Sequence, residues 1–257
     1  MKNDKAKILA MAGKGGTGKT TISALLIKYL VENGITPVMA VDADANANLN
    51  ELLGLNVEVT LGEIRDAMKT ETPFGMTKSD YMEMRINQAI IEATGFDLLV
   101  MGQPEGPGCY CMANTILAQV MESLARNYRY LLVDNEAGME HLSRLNLRKI
   151  QTLFVVSDPS SRGVMTAARI ADLTRNLGVD VKQKVLIVNR VPPELPAALK
   201  EQVESAVEKT DLIFGGYIPA SDAVFQCEVQ QKSLLTLPPD TDVCKITTEI
   251  FDRFLKN

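Results

Sequence analysis

The residues most able to do chemistry lie in one short run near the start of the chain. Residues 13–20 read Gly13-Lys14-Gly15-Gly16-Thr17-Gly18-Lys19-Thr20, the pattern G-x-x-x-x-G-K-[ST]. Glycines so spaced let successive backbone N–H groups turn inward around anionic oxygens, and a helix that starts at the end of the run adds its positive terminus. Lys19 would then hold β- and γ-phosphate oxygens as a point charge, and Thr20 would offer its hydroxyl to Mg²⁺. A chance glycine-rich turn is the competing reading. The context opposes it, because the run follows an apolar KILAMA segment and precedes an apolar helix pattern that takes in Thr21.

Carboxylates stand where such a site needs them. Val41-Asp42-Ala43-Asp44 and Tyr130-Leu131-Leu132-Val133-Asp134 each end an apolar run in acid, and ligands of open α/β sheets bind at the carboxyl ends of strands. Asp134 takes the Walker B position, which binds Mg²⁺ through water. A second chemical feature is Cys109-Tyr110-Cys111, preceded by Gly106-Pro107-Gly108. On a regular strand the two thiols would face opposite sides, but the Gly-Pro-Gly favours an irregular turn in which both can face one ion. Two thiolates make half of a closed four-ligand site, so other residues or a second chain must supply the rest. Packed free cysteines or a redox pair are the alternatives, although a disulfide across one residue makes a strained ring. Cys227 and Cys244 have no partner at ligand spacing and read as buried structural cysteines.

Seven short runs, apolar on both faces, predict strands over 7–12, 37–41, 96–101, 130–134, 152–157, 184–189 and 212–219. Three-and-four apolar spacing predicts helices over segments such as 21–31, 113–125, 166–177 and 248–255. The least regular stretch, 58–91, reads as a loop at ETPFGMTKSD followed by a helix over 81–91. Alternation of this kind along the chain predicts one α/β domain over residues 1–257, a mainly parallel sheet of about seven or eight strands with helices on both faces. The Val191-Pro192-Pro193 and Leu237-Pro238-Pro239 pieces are short enough to be loops inside that domain.

Composition narrows the classes further. The 257 residues are 46% hydrophobic and 23% charged with a formal charge of −5, which excludes a disordered chain and gives no support to nucleic-acid binding. A single histidine, His141, rules out a two-histidine zinc site within one chain and reads as packing or surface. The N-terminal apolar run is broken by glycines after six residues and resembles neither a secretory leader nor a membrane span, so a reducing cytoplasm is the expected location.

GKGGTGKTT, with its early lysine, resembles the deviant Walker A loop of the MinD/ParA/nitrogenase-iron-protein class of P-loop ATPases. The resemblance implies that Lys14 reaches across a homodimer interface to the partner's nucleotide, a role like that of an arginine finger. Asp44 matches the switch I aspartate that orients the attacking water, which puts Asp42 near Mg²⁺ or its water shell; Ala45 stands where many relatives carry proline. Asn135-Glu136-Ala137-Gly138 is similar to switch II, with the Gly138 N–H sensing the γ-phosphate and Glu136 either part of that switch or a solvated loop acid. Asn189 matches the adenine-binding asparagine, Arg190 adjoins it, and Ile218-Pro219-Ala220-Ser221-Asp222 resembles the second adenine loop, which places Pro219 and Asp222 at the base. A guanine-reading N-K-x-D is missing at this point, so ATP is the expected nucleotide.

GFDLLVMGQPEGPGCYC and VDNEAGMEHLSR resemble more narrowly the CooC-type ATPases and the AcsF maturation factors. That resemblance implies an ATP-favoured homodimer, Ni²⁺ or Zn²⁺ held by Cys109 and Cys111 of both chains, and delivery of nickel to carbon monoxide dehydrogenase or acetyl-CoA synthase. Two other readings compete with it. An iron–sulfur electron donor of the nitrogenase-iron-protein kind would take its thiols from separated loops rather than an adjacent pair. A positioning ATPase of the MinD or ParA kind needs a membrane-seeking tail or a basic DNA surface, whereas TTEIFDRFLKN looks like a short closing helix packed on the sheet.

Overall fold

The computed structural model describes residues 6–44, 46–68, 71–103, 119, 121–136, 149–176 and 178–256. The strands are β1 (Lys7–Gly13), β2 (Val38–Asp42), β3 (Ile91–Ala93), β4 (Phe96–Val100), β5 (Tyr130–Asp134), β6 (Lys149–Ser157), β7 (Asp180–Val191) and β8 (Leu212–Pro219). They form one eight-stranded sheet in the order β3-β4-β2-β5-β1-β6-β7-β8, parallel throughout except for the β3–β4 pair. The helices are α1 (Lys19–Glu32), α2 (Leu49–Leu53), α3 (Leu61–Ala67), α4 (Lys78–Ala89), α5 (Ser161–Asn176), α6 (Ala197–Lys209), α7 (Asp222–Val229) and α8 (Asp242–Leu255).

Two cores flank the sheet because alternate residues of each strand face opposite sides. Along β1, Leu9 and Met11 join the core under α1 and α8, while Ala10 and Ala12 join the core under α3 to α6. This is why the strands read as unbroken apolar runs rather than as alternating ones. Helix α1 is buried from Ile22 to Leu30, as a helix apolar on all sides must be. Helix α8 closes the same face with Val243, Thr247, Ile250 and Phe251 at helical spacing, and Phe251 packs its ring against Phe154 and Tyr29.

All seven predicted strands are present, with β3 as an addition at the sheet edge. Corrections fall at element ends. The helix expected over 81–91 is α4, which starts at Lys78 because the Thr77 hydroxyl accepts the Asp80 N–H as a cap. It stops at Ala89 because Ile90 is extended, and Ile91 pairs with Leu98 in β3. Helices α5 and α8 begin five and six residues before their expected starts, because buried Val164 in one and buried Val243 and Cys244 in the other already join the two cores. The 113–125 helix lies mostly outside the described residues.

Candidate functional site

Parallel pairing brings the carboxyl ends of β1, β2, β5 and β7 to one edge of the sheet, on either side of the central strand. Met11 and Asp42 are both register partners of Asp134, so the loop after β1 and the acids ending β2 and β5 share one level. Ligands of open α/β sheets bind at such an edge. A cleft of about 1280 Å³ opens there, lined by Gly15, Gly16, Gly18, Lys19, Thr20 and Thr21 together with Asp44, Glu136 and Arg190. Residues of α2 and the following turn, and Cys227, Glu228, Gln231 and Lys232, complete the lining.

The loop geometry needs its glycines. Gly13, Gly16 and Gly18 all have positive φ, of 154°, 79° and 90°. A Cβ on Gly13 would collide with the Val156 carbonyl of β6, and one on Gly18 with the Asn189 amide. Within the loop the Thr17 hydroxyl donates to the Lys14 carbonyl at 2.9 Å, and the Lys19 ammonium reaches the same carbonyl at 3.3 Å. Lys19 is 7% exposed. Burial lowers its pKa, and the negative charges of Asp134, Asp44 and Glu136 partly offset that effect. The Lys14 side chain is exposed.

Asp134 and Asp42 are both fully buried. The Ser23 hydroxyl donates to Asp134 Oδ1 at 2.9 Å, while Oδ2 has no hydrogen-bond partner among the described residues. Burial pushes this carboxyl up to about 7 and the Asp42 charge adds to the rise, against a smaller downward pull from the Thr20 and Ser23 hydroxyls and Lys19. An orphaned carboxylate oxygen beside a threonine hydroxyl fits an oxygen-loving divalent cation. Asp42 differs: Oδ1 accepts the Asp44 N–H at 3.0 Å and Oδ2 the Leu49 N–H at 2.9 Å. Burial lifts Asp42 to about 6, and those backbone donors pull against it. Its side chain thus holds the Asp44 turn and the start of α2, a job the sequence reading did not foresee. Asp44 in turn accepts the Asn46 N–H at 2.9 Å.

The expected base residues are less gathered. Asn189 is 4% exposed and its amide donates to the Thr17 carbonyl at 2.9 Å; Arg190 donates to the Gly16 carbonyl at 3.3 Å. Pro219 ends β8 and Asp222 starts α7, outside the cleft lining. Cys244 is buried in the α1–α8 core as expected, but Cys227 is only partly buried and faces the cleft, because α7 has no buried residue and lies on the rim. Ser23 escaped sequence reading; its signal was a serine set in the apolar run Ile22–Leu26, one turn after Lys19. Also unforeseen is the Thr21 hydroxyl meeting Glu228 at 3.5 Å across the cleft. Cys109, Cys111, Gly138 and His141 lie outside the described residues. Among the described residues no group of three or more His, Cys, Asp or Glu could hold a metal, and no helix is long and apolar enough to cross a membrane.

Residues 6–187 match the family model described as an AAA domain. The chain belongs to that family of P-loop ATPases. It is 38% identical to an uncharacterized ATP-binding protein of Methanocaldococcus jannaschii, over 96% of this chain and 98% of that one. It is also 29% identical to the carbon monoxide dehydrogenase accessory protein CooC of Rhodospirillum rubrum, with 90% of each chain covered. The cell division ATPase MinD of Pyrococcus furiosus superposes with a TM-score of 0.72 over 98% of this chain and 99% of that one, at 20% identity, and so shares its fold. This AAA-family chain is an ATPase of MinD/ParA architecture, which agrees with the class that its loop resembles.

Proposed function

We propose that this ATPase is a cytoplasmic metal-delivery accessory protein for a nickel enzyme, working as an ATP-dependent homodimer. The observation that carries the reading is the pair Cys109 and Cys111 in a chain similar over nine-tenths of its length to a carbon monoxide dehydrogenase accessory protein. The client would be carbon monoxide dehydrogenase or acetyl-CoA synthase, with no nucleic acid or membrane partner. Ni²⁺ or Zn²⁺ is cargo here, held by two thiolates from each of two chains.

In this reading Gly13, Gly15, Gly16, Thr17 and Gly18 cradle the phosphates of ATP with backbone N–H groups, and Lys19 neutralises the β- and γ-oxygens. Thr20 and Asp134 would hold Mg²⁺, which when bound screens phosphate charge. Thr21, in the lining of the cleft beside Thr20, would join the nucleotide contacts. Asp44, held by Asp42, orients the attacking water, Gly138 senses the γ-phosphate, and the exposed Lys14 extends toward the partner's triphosphate. Asn189, Arg190, Pro219 and Asp222 serve the adenine end. ATP and cargo both favour the closed dimer, so each tightens the other's binding by the same factor. Loss of the γ-phosphate removes the Lys14 contact and splits the four-thiolate set, and two thiolates hold a divalent ion less well than four.

The test is an anaerobic Ni²⁺ titration, read by thiolate-to-nickel absorption and molecular mass, with and without Mg·ATP. One ion per dimer, bound more tightly with ATP and lost in Cys109→Ser/Cys111→Ser, is the expected result. Nickel binding indifferent to the two cysteines, or no binding, sinks the delivery role while leaving the ATPase intact.

A further inference from the structure

We propose that Asn189 is a positioning residue for the phosphate loop, acting through the Thr17 carbonyl on the backbone that meets the triphosphate, whatever base is attached. The proposal rests on the reading of residues 13–20 as the phosphate site.

The Asn189 amide nitrogen donates to the Thr17 carbonyl at 2.9 Å from a position 172 residues away, and the side chain is 4% exposed. It sits near the end of β7, whose pairing with β6 and β8 fixes its height on the sheet. The space it fills is the space Gly18 leaves open, since a Cβ on Gly18 would run into this amide. Arg190 repeats the contact one residue along: its backbone is left-handed at φ 56°, and its guanidinium donates to the Gly16 carbonyl at 3.3 Å. The end of β7 therefore grips two successive carbonyls of the loop.

Peptide planarity turns this grip into aim. The carbonyl of one residue and the N–H of the next belong to one rigid trans unit and point in opposite directions. Pulling the Thr17 carbonyl toward β7 sends the Gly18 N–H the other way, and pulling the Gly16 carbonyl does the same for the Thr17 N–H. Gly16 and Gly18 line the cleft. A loop of glycines has many conformations to lose on binding, and these two anchors remove some of that cost before any ligand arrives. Contact with a base is a separate use of the same side chain, and it predicts nothing for a ligand without a base.

Inorganic tripolyphosphate is the probe that separates the two. Asn189→Ala should weaken tripolyphosphate about three- to tenfold and ATP by at least that factor, at unchanged stoichiometry. The near-isosteric Asn189→Asp, which cannot donate at neutral pH, should lose at least as much. In the nucleotide-free protein, hydrogen exchange at residues 14–19 should quicken in both variants while exchange along β7 stays as in the wild type. Unchanged tripolyphosphate affinity beside weakened ATP affinity would make Asn189 a base contact only and overturn the proposal, as would unaltered loop exchange. A wild-type chain that took up neither ligand would overturn the phosphate site itself, and that failure shows before any variant is made.

Discussion

Asp42 and Asp134 end neighbouring strands in register, β2 and β5, and both are without solvent exposure. Sequence treats them alike, as acids that close apolar runs. The surroundings do not. The chain after Asp42 curls back, so that the Asp44 and Leu49 N–H groups each find one of its oxygens. The chain after Asp134 runs on to Asn135, whose amide is spent on the Met11 carbonyl at 2.7 Å, and Asp134 draws on side-chain hydroxyls instead, with Ser23 donating to Oδ1 and Oδ2 without a partner among the described residues. A carboxylate met by backbone donors organises a turn, whereas one with an unpartnered buried oxygen suits a divalent cation.

The largest test of this contrast is Asp134→Asn. Turnover of Mg·ATP should fall roughly 100-fold or more, while the nucleotide-free protein should gain stability on the order of 2 kcal/mol, read by chemical denaturation, since a buried charge without a cation is removed. The pH dependence has a defined sign. The native carboxyl titrates near 7 against 3.8 in the unfolded chain, so between those values the native state holds more protons and wild-type stability should fall as pH rises. Asp134→Asn should flatten that slope above about 6, the value to which burial lifts Asp42, and reduce it below; a slope left unchanged would place the proton elsewhere.

Asp42→Asn should move stability the opposite way, down by about 1–2 kcal/mol, because an amide can accept only one of the two backbone donors without setting N–H against N–H. Turnover should drop about tenfold through a misplaced Asp44, with ATP affinity little changed. Equal signs for the two stability changes would erase the distinction drawn between the acids. Ser23→Ala is the smallest perturbation. It should cost about 1 kcal/mol and raise the Mg²⁺ concentration for half-maximal turnover a few-fold, measured by titrating Mg²⁺ at fixed ATP; no shift would make Ser23 a packing residue alone.

Much of the architecture was legible beforehand for a physical reason. Strands buried on both faces must be apolar throughout, so KILAMA, YLLVD and KVLIVN announce themselves, and helices on two sides follow from chain alternation. The phosphate loop was equally legible, since its residue types are dictated by backbone directions that glycine alone permits at low cost. Helix starts were less so: α5 and α8 open on turns with only one or two apolar residues, Val164 in one and Val243 and Cys244 in the other, whose burial depends on the packed core, and α4 is placed by the Thr77 cap rather than by its apolar face.

By itself, then, the amino-acid order determined the fold class, the position of the phosphate loop and the identity of the acids at the strand ends, because each is written in local periodicity or in a short motif. Tertiary structure alone decided how those groups divide their work. Asn189 meets Thr17, Ser23 meets Asp134 and Cys227 faces the cleft across 172, 111 or more residues of chain. Contacts at that separation depend on strand order and register, and a crossover sheet sets both only when the whole chain has packed.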